Sequence, residues 1–147
     1  MEPFKGSRIS PQSCLVSQWL RQRLTVFYIG TIHAVEFSVY KEGYGFAGTA
    51  DALLDIDGDG PFIVDWKTAK EARSEQMVEQ FCCQLGAYSL GLKSLTHIQP
   101  KYGAVIIARR SGKPQIKMLN RLELIGAETE FLRRNELYQK QLELVTV

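Results

Sequence analysis

Residues 46–68 constrain the fold of this chain more tightly than any other stretch. Phe46 to Ile56 reads as one strand, and residues 62–68 as a second, rich in β-branched and aromatic side chains. Between them Asp57-Gly58-Asp59-Gly60-Pro61 is dense in turn formers. The chain therefore folds back near Gly58 or Asp59 as a tight antiparallel hairpin. Leu53, Leu54, Ile63, Val64 and Trp66 place apolar side chains on both faces. That is the pattern of central strands covered on either side.

Charges on so apolar a hairpin need a reason. Thirteen residues lie between Asp51 and Asp65-Trp66-Lys67, and the fold-back brings position 51 opposite 65, 66 or 67. Side chains alternate with period two, so Asp65 and Lys67 share a face. Asp51 joins them if the register sets it opposite either one, with Cβ atoms about 5 Å apart. Two carboxylates that close repel unless a cation lies between them. Hard oxygen donors suit Mg²⁺ or Mn²⁺, and a lysine beside them can stabilise charge developing on phosphorus. The competing reading is a solvated sheet face, the usual state of charged residues. It is weakened here because charges on a covered strand are costly unless paired or liganded.

The flanking segments add candidates. A helix is predicted over roughly residues 73–92, with Gln84 and Tyr88 one turn apart on one face. Met77, Phe81, Leu85 and Leu92 supply an apolar stripe close by. Residues 34–40 alternate as a strand, and folding back at 42–43 brings Glu36 near Thr49 and Asp51. An exposed strand glutamate is the alternative there. Asp55-Ile56-Asp57-Gly58-Asp59-Gly60 imitates the opening of a calcium loop. Its twelfth position is Trp66 rather than glutamate and no helix follows, so a hairpin turn is the better reading.

Three ordered segments carry a resemblance. Gly48-Thr49-Ala50-Asp51, Val64-Asp65-Trp66-Lys67-Thr68 and Gln84-Leu85-Gly86-Ala87-Tyr88 resemble the RecB-like branch of the PD-(D/E)XK nuclease superfamily, over roughly residues 30–120. Phage-type and mitochondrial genome maintenance exonucleases are among the kinds it resembles. The resemblance implies an α/β (α+β) restriction-endonuclease-like core, a central mixed sheet of about five strands flanked by helices. It implies that Asp51 and Asp65 bind metal, that Lys67 is catalytic, and that Gln84 and Tyr88 sit on a helix beside the site. It adds Glu36 as a residue completing or adjoining the metal site. Gly30-Thr31-Ile32-His33 is similar to a motif in which a helix-borne histidine also binds metal, although His33 stands only three residues before Glu36.

Composition sets the frame. The 147 residues are 45% hydrophobic and 23% charged, which suits a single domain over 13–147 with a loose arm over 1–12. A helix near 13–27, two strands at 102–108 and 115–119, and a helix over about 122–144 complete the expected order. No stretch reads as a membrane span or signal peptide, so a cytoplasmic location is expected. Cys14, Cys82 and Cys83 are odd in number and too few for the four-cysteine iron–sulfur cluster of some relatives. Net charge is only +2, yet Asp51 to Asp65 holds five acids and no base, and Lys101 to Arg121 six bases and no acid. Within that basic strip Arg109, Arg110, Lys113 and Lys117 are candidate contacts to nucleic-acid phosphates. The expected activity is metal-dependent DNA cleavage, as an exonuclease in replication, recombination or repair and in the style of phage enzymes. Exo or endo action, strand preference and self-association stay open. The alternative is a nuclease-fold module that binds nucleic acid or a partner without cutting.

Overall fold

The computed structural model describes residues 28–145. The arm expected over 1–12 and the helix near 13–27 lie outside these residues. From Ile29 the elements are β1 (Ile29–Lys41), β2 (Phe46–Ile56), β3 (Asp59–Ala69), α1 (Glu75–Leu95), β4 (Tyr102–Arg109), β5 (Gln115–Leu119) and α2 (Arg121–Val145). The strands form one mixed five-stranded sheet in the order β1-β2-β3-β4-β5. Only β3 and β4 run parallel. The architecture is α+β, consistent with a restriction-endonuclease-like core.

Local chemistry explains the elements. The β2–β3 hairpin turns on Asp57 (φ +52°) and Gly58 (φ +81°), both left-handed. Such pairs match the twist of the flanking strands, and Asp-Gly suits them. The strand β3 therefore begins at Asp59, earlier than the sequence suggests. Parallel pairing of β3 with β4 needs a crossover, and α1 supplies it. Its start is capped by Ser74, whose hydroxyl accepts from the Met77 amide at 3.3 Å.

Two glycines inside α1 set how closely it packs. A Cβ at Gly86 would lie 2.4 Å from the Ala127 carbonyl carbon of α2, and one at Gly91 2.8 Å from Val39 Cβ of β1. Glycine costs a helix about 1 kcal/mol relative to alanine, and here it allows near-backbone contact on two sides. Helices α1 and α2 are also pinned by Glu128, buried at 6% exposure. Glu128 accepts from Lys93 through both oxygens at 2.7 Å, and from Ser89 at 2.6 Å.

Apolar residues fill both faces of the sheet. Leu53, Ile63, Val105 and Ile107 pack with Leu85 and Leu92 of α1, while Leu54, Val64, Ala104 and Ile106 form a second cluster. Leu53 and Leu54 are each only 2% exposed, so the central hairpin is covered on both faces.

Candidate active site

The strand register assembles the carboxylates. Ala52 pairs with Val64, which sets Asp51 opposite Asp65. Val35 pairs with Ala52 and Phe37 with Ala50, which sets Glu36 opposite Asp51. Glu36, Asp51 and Asp65 thus stand in one row across three strands. Alternation breaks at this row. Ala34 and Phe37 of β1 both pack on the core that α1 covers, and so do Ala50 and Leu53 of β2. Each pair is three positions apart rather than two or four, so each strand has an irregular step there. Glu36 carries the step in β1, with φ +46°, a left-handed conformation uncommon outside glycine.

The step in β2 changes what Asp51 does. The paired register of β2 and β3 ends at Ala52 and Val64. Just beyond it the Trp66 amide donates to Asp51 Oδ2 at 2.7 Å. A side chain has taken over from a strand carbonyl, fixing the first carboxylate against the backbone of the strand that carries the second.

Asp65 is 1% exposed. Lys67 shares its face, and Lys67 Nζ donates to Asp65 Oδ1 at 2.9 Å and to Gln84 Oε1 at 3.1 Å. The ammonium also lies 5.2 Å from the centre of the Phe81 ring, within cation–π range. Gln84 Nε2 in turn donates to the Tyr88 hydroxyl at 2.6 Å. Lys67 can only donate, so it fixes the Gln84 amide with oxygen toward the ammonium and nitrogen toward tyrosine. The Tyr88 ring lies over Gly48 of β2, where a Cβ would come within 2.9 Å of the ring.

The electrostatics follow from burial. Asp65's carboxyl is pushed up to about 6, chiefly by its burial, with added repulsion from Asp51 and opposition from Lys67. The Tyr88 hydroxyl is raised by burial and by the negative charge of Asp65 and Asp51. Asp65 Oδ2 lies 2.9 Å from Lys67 Nζ but off its hydrogen-bond direction. It is a buried oxygen with no hydrogen-bond partner among the described residues. A buried carboxylate oxygen without a hydrogen bond, beside a second acid, offers hard oxygen donors of the kind a divalent cation takes, so these residues fit one. Among the described residues no three His, Cys, Asp or Glu side chains converge as a ready metal cluster. Asp51 and Asp65 are the pair present.

Of the residues singled out in the sequence, the structure brings together Asp51, Asp65, Lys67, Gln84 and Tyr88. Glu36 is in the row but exposed. His33 lies elsewhere. It belongs to β1 rather than to a helix, and its Nε2 is 2.9 Å from Asp55 Oδ1. Asp55 is four residues along β2 from Asp51, about 13 Å at strand rise. The basic residues divide as well. Lys117 pairs with Glu123 at 3.2 Å. Arg109 Nε donates to the Lys113 carbonyl at 2.6 Å and braces its own turn. Arg110 and Lys113 are exposed beside the end of β3, where the Arg110 amide donates to the Ala69 carbonyl at 3.0 Å. Phe81 and Gly48 were not legible as site residues. Phe81 sits three before Gln84, a spacing that signalled only an apolar helix face.

The sequence profile of the PD-(D/E)XK nuclease superfamily matches residues 10–146. No curated protein matches the chain.

Proposed function

Because the chain belongs to the PD-(D/E)XK nuclease superfamily, whose members generally use divalent metals such as Mg²⁺, we propose that it hydrolyses phosphodiester bonds in DNA with Mg²⁺ or Mn²⁺, acting as an exonuclease. The observation that carries this reading is Lys67, held between a buried carboxylate and a glutamine locked to a tyrosine. Asp51 and Asp65 would hold the cation, which when bound polarises a phosphoryl oxygen and lowers the pKa of a coordinated water. Lys67 donates to the phosphate or its attacking water and stabilises the charge that develops. Gln84 and Phe81 keep the ammonium at one place, so little ordering remains for the reaction itself. Tyr88 accepts from Gln84 and keeps its own proton for another acceptor, a carboxylate or a substrate phosphate oxygen. Arg110 and Lys113 bind backbone phosphates by charge.

Lys67→Ala tests this. Cleavage of end-labelled single-stranded and duplex DNA should fall by about 10²–10³-fold. Mn²⁺ affinity by calorimetry should hold or rise, because a cation near the metal has gone. Full cleavage by this variant would remove the central residue of the proposal. A second reading, a binding module that does not cut, is favoured by one observation: only two acids converge among the described residues. It predicts DNA binding by the wild-type protein with no cleavage in either metal.

A further inference from the structure

Beyond Lys67, β3 ends at Ala69 and runs into a short loop, residues 70–74, that leads to α1. The loop carries Lys70 and Arg73, both exposed, and neither side chain has a hydrogen-bond or ion-pair partner among the described residues. A loop of this kind would ordinarily be loose. This one is fastened. The Arg73 amide donates to Gln115 Oε1 at 2.7 Å, and Gln115 Nε2 donates back to the Arg73 carbonyl at 3.0 Å. One side chain from β5 thus closes both backbone hydrogen bonds of Arg73, as a neighbouring strand would. On the residue's other side Ser74 caps α1.

The fastening fixes the backbone of a cation whose side chain has no structural role. It also joins the loop to the β4–β5 turn, which carries Arg110 and Lys113, because Gln115 opens β5. Ala69 pairs with Arg109 across the parallel ladder, so loop and turn lie side by side at the end of the sheet that bears Lys67. Lys70 is three residues past Lys67, about 10 Å at strand rise. Glu71 and Glu75 are the acids nearby in sequence, against Lys70, Arg73, Arg109, Arg110 and Lys113.

We infer that Lys70 and Arg73 form a second phosphate-binding seat for DNA adjoining the cleavage site, and that Gln115 is its positioning residue. The inference rests on the nuclease reading for its ligand, a DNA strand. Lys70 and Arg73 bind the backbone a few nucleotides from the scissile bond. Gln115 touches no DNA and acts by holding Arg73 in place.

The test uses fluorescence anisotropy with a fluorescein-labelled 20-nucleotide DNA, single-stranded and duplex, in an Asp65→Asn background that preserves the substrate. Lys70→Gln/Arg73→Gln should raise Kd about tenfold or more in 0.1 M salt and flatten the log Kd against log salt slope by about 1.5. Gln115→Leu, which changes no charge, should raise Kd severalfold while the thermal midpoint stays within a few degrees of the parent. A purely structural glutamine would move the midpoint and leave Kd alone. Cleavage time courses run in parallel with Asp65 restored. If the unmodified protein cuts DNA and the loop variants bind like their parent, the seat is overturned and the nuclease reading stands. If nothing cuts but the loop variants lose binding, the seat stands and the nuclease reading falls. Failure of the parent to bind either DNA at low salt overturns both.

Discussion

Asp65 shows how much one buried charge can govern. Its carboxyl titrates at about 6 in the folded protein, against about 3.9 in an unfolded chain. Between those values the folded state holds a proton that the unfolded state has released. In chelator-treated protein, the contribution of Asp65 to stability should therefore be greatest at low pH and fall as pH rises through this window, by about 3 kcal/mol. Asp65→Asn should flatten that slope and be the more stable protein at pH 7; denaturant unfolding at a series of pH values measures both. A divalent ion should reverse the penalty and release protons on binding below about pH 6. Asp51 answers differently. Its Oδ2 serves a main-chain amide, so Asp51→Ala removes an acceptor as well as a proposed metal donor. We expect both Asp51→Ala and Asp51→Asn to lose cleavage, with only the alanine variant also losing stability, by about 1–3 kcal/mol. Equal melting temperatures would show that the Trp66 amide has another partner. In the sequence, turn position and period two brought the two acids near each other but left Asp51 opposite 65, 66 or 67. The amide bond was not legible, because it exists only where the ladder ends, and period-two reasoning assumes an unbroken ladder.

Elements were legible where one local rule dominated. Asp57-Gly58 announced the hairpin, and β2, with β5, lies where patterning put it. Helix α1 was readable from its stripe, but its two internal glycines were not, since what they avoid lies on β1 and α2. The contact at Gly86 predicts a large effect from one methyl group. Its Cβ would meet the backbone of Ala127 at 2.4 Å, and backbone cannot move aside as a flexible side chain can. Gly86→Ala should raise intrinsic helix propensity yet destabilise the protein by about 1–3 kcal/mol, as chemical denaturation would register. Because α1 carries Gln84 and Tyr88, activity should fall with it. An unchanged unfolding midpoint would mean that the two helices can part without cost. The Glu128 cluster with Ser89 and Lys93 was also invisible beforehand, its members being 35 and 39 residues apart in sequence. The same holds for His33. A motif suggested a helix, but pairing with β2 extends β1 to Ile29, and the ring meets Asp55 instead.

Across the molecule's described residues, charge is unevenly placed. Five acids and no base lie from Asp51 to Asp65, and Lys70, Arg73, Arg110 and Lys113 are exposed at the end of the sheet beyond Lys67. Neutralising Arg110 and Lys113 together should lower the salt slope of DNA binding by up to about 1.8, at about 0.9 per duplex phosphate contact. Turnover at saturating DNA should be little changed, and an unaltered slope would place the DNA path on another face. Lys117, tied to Glu123, should contribute less than its charge suggests. The order of elements has a last consequence. Every side chain assembled around Lys67 comes from residues 51–88, on β2, β3 and α1, while the exposed cations of the β4–β5 turn come from later chain. The chemistry and the part of the grip carried by that turn are therefore encoded in separate segments. A lineage of such proteins can lengthen, recharge or replace the turn after β4, and so change which DNA it holds, without disturbing the residues that would cut it.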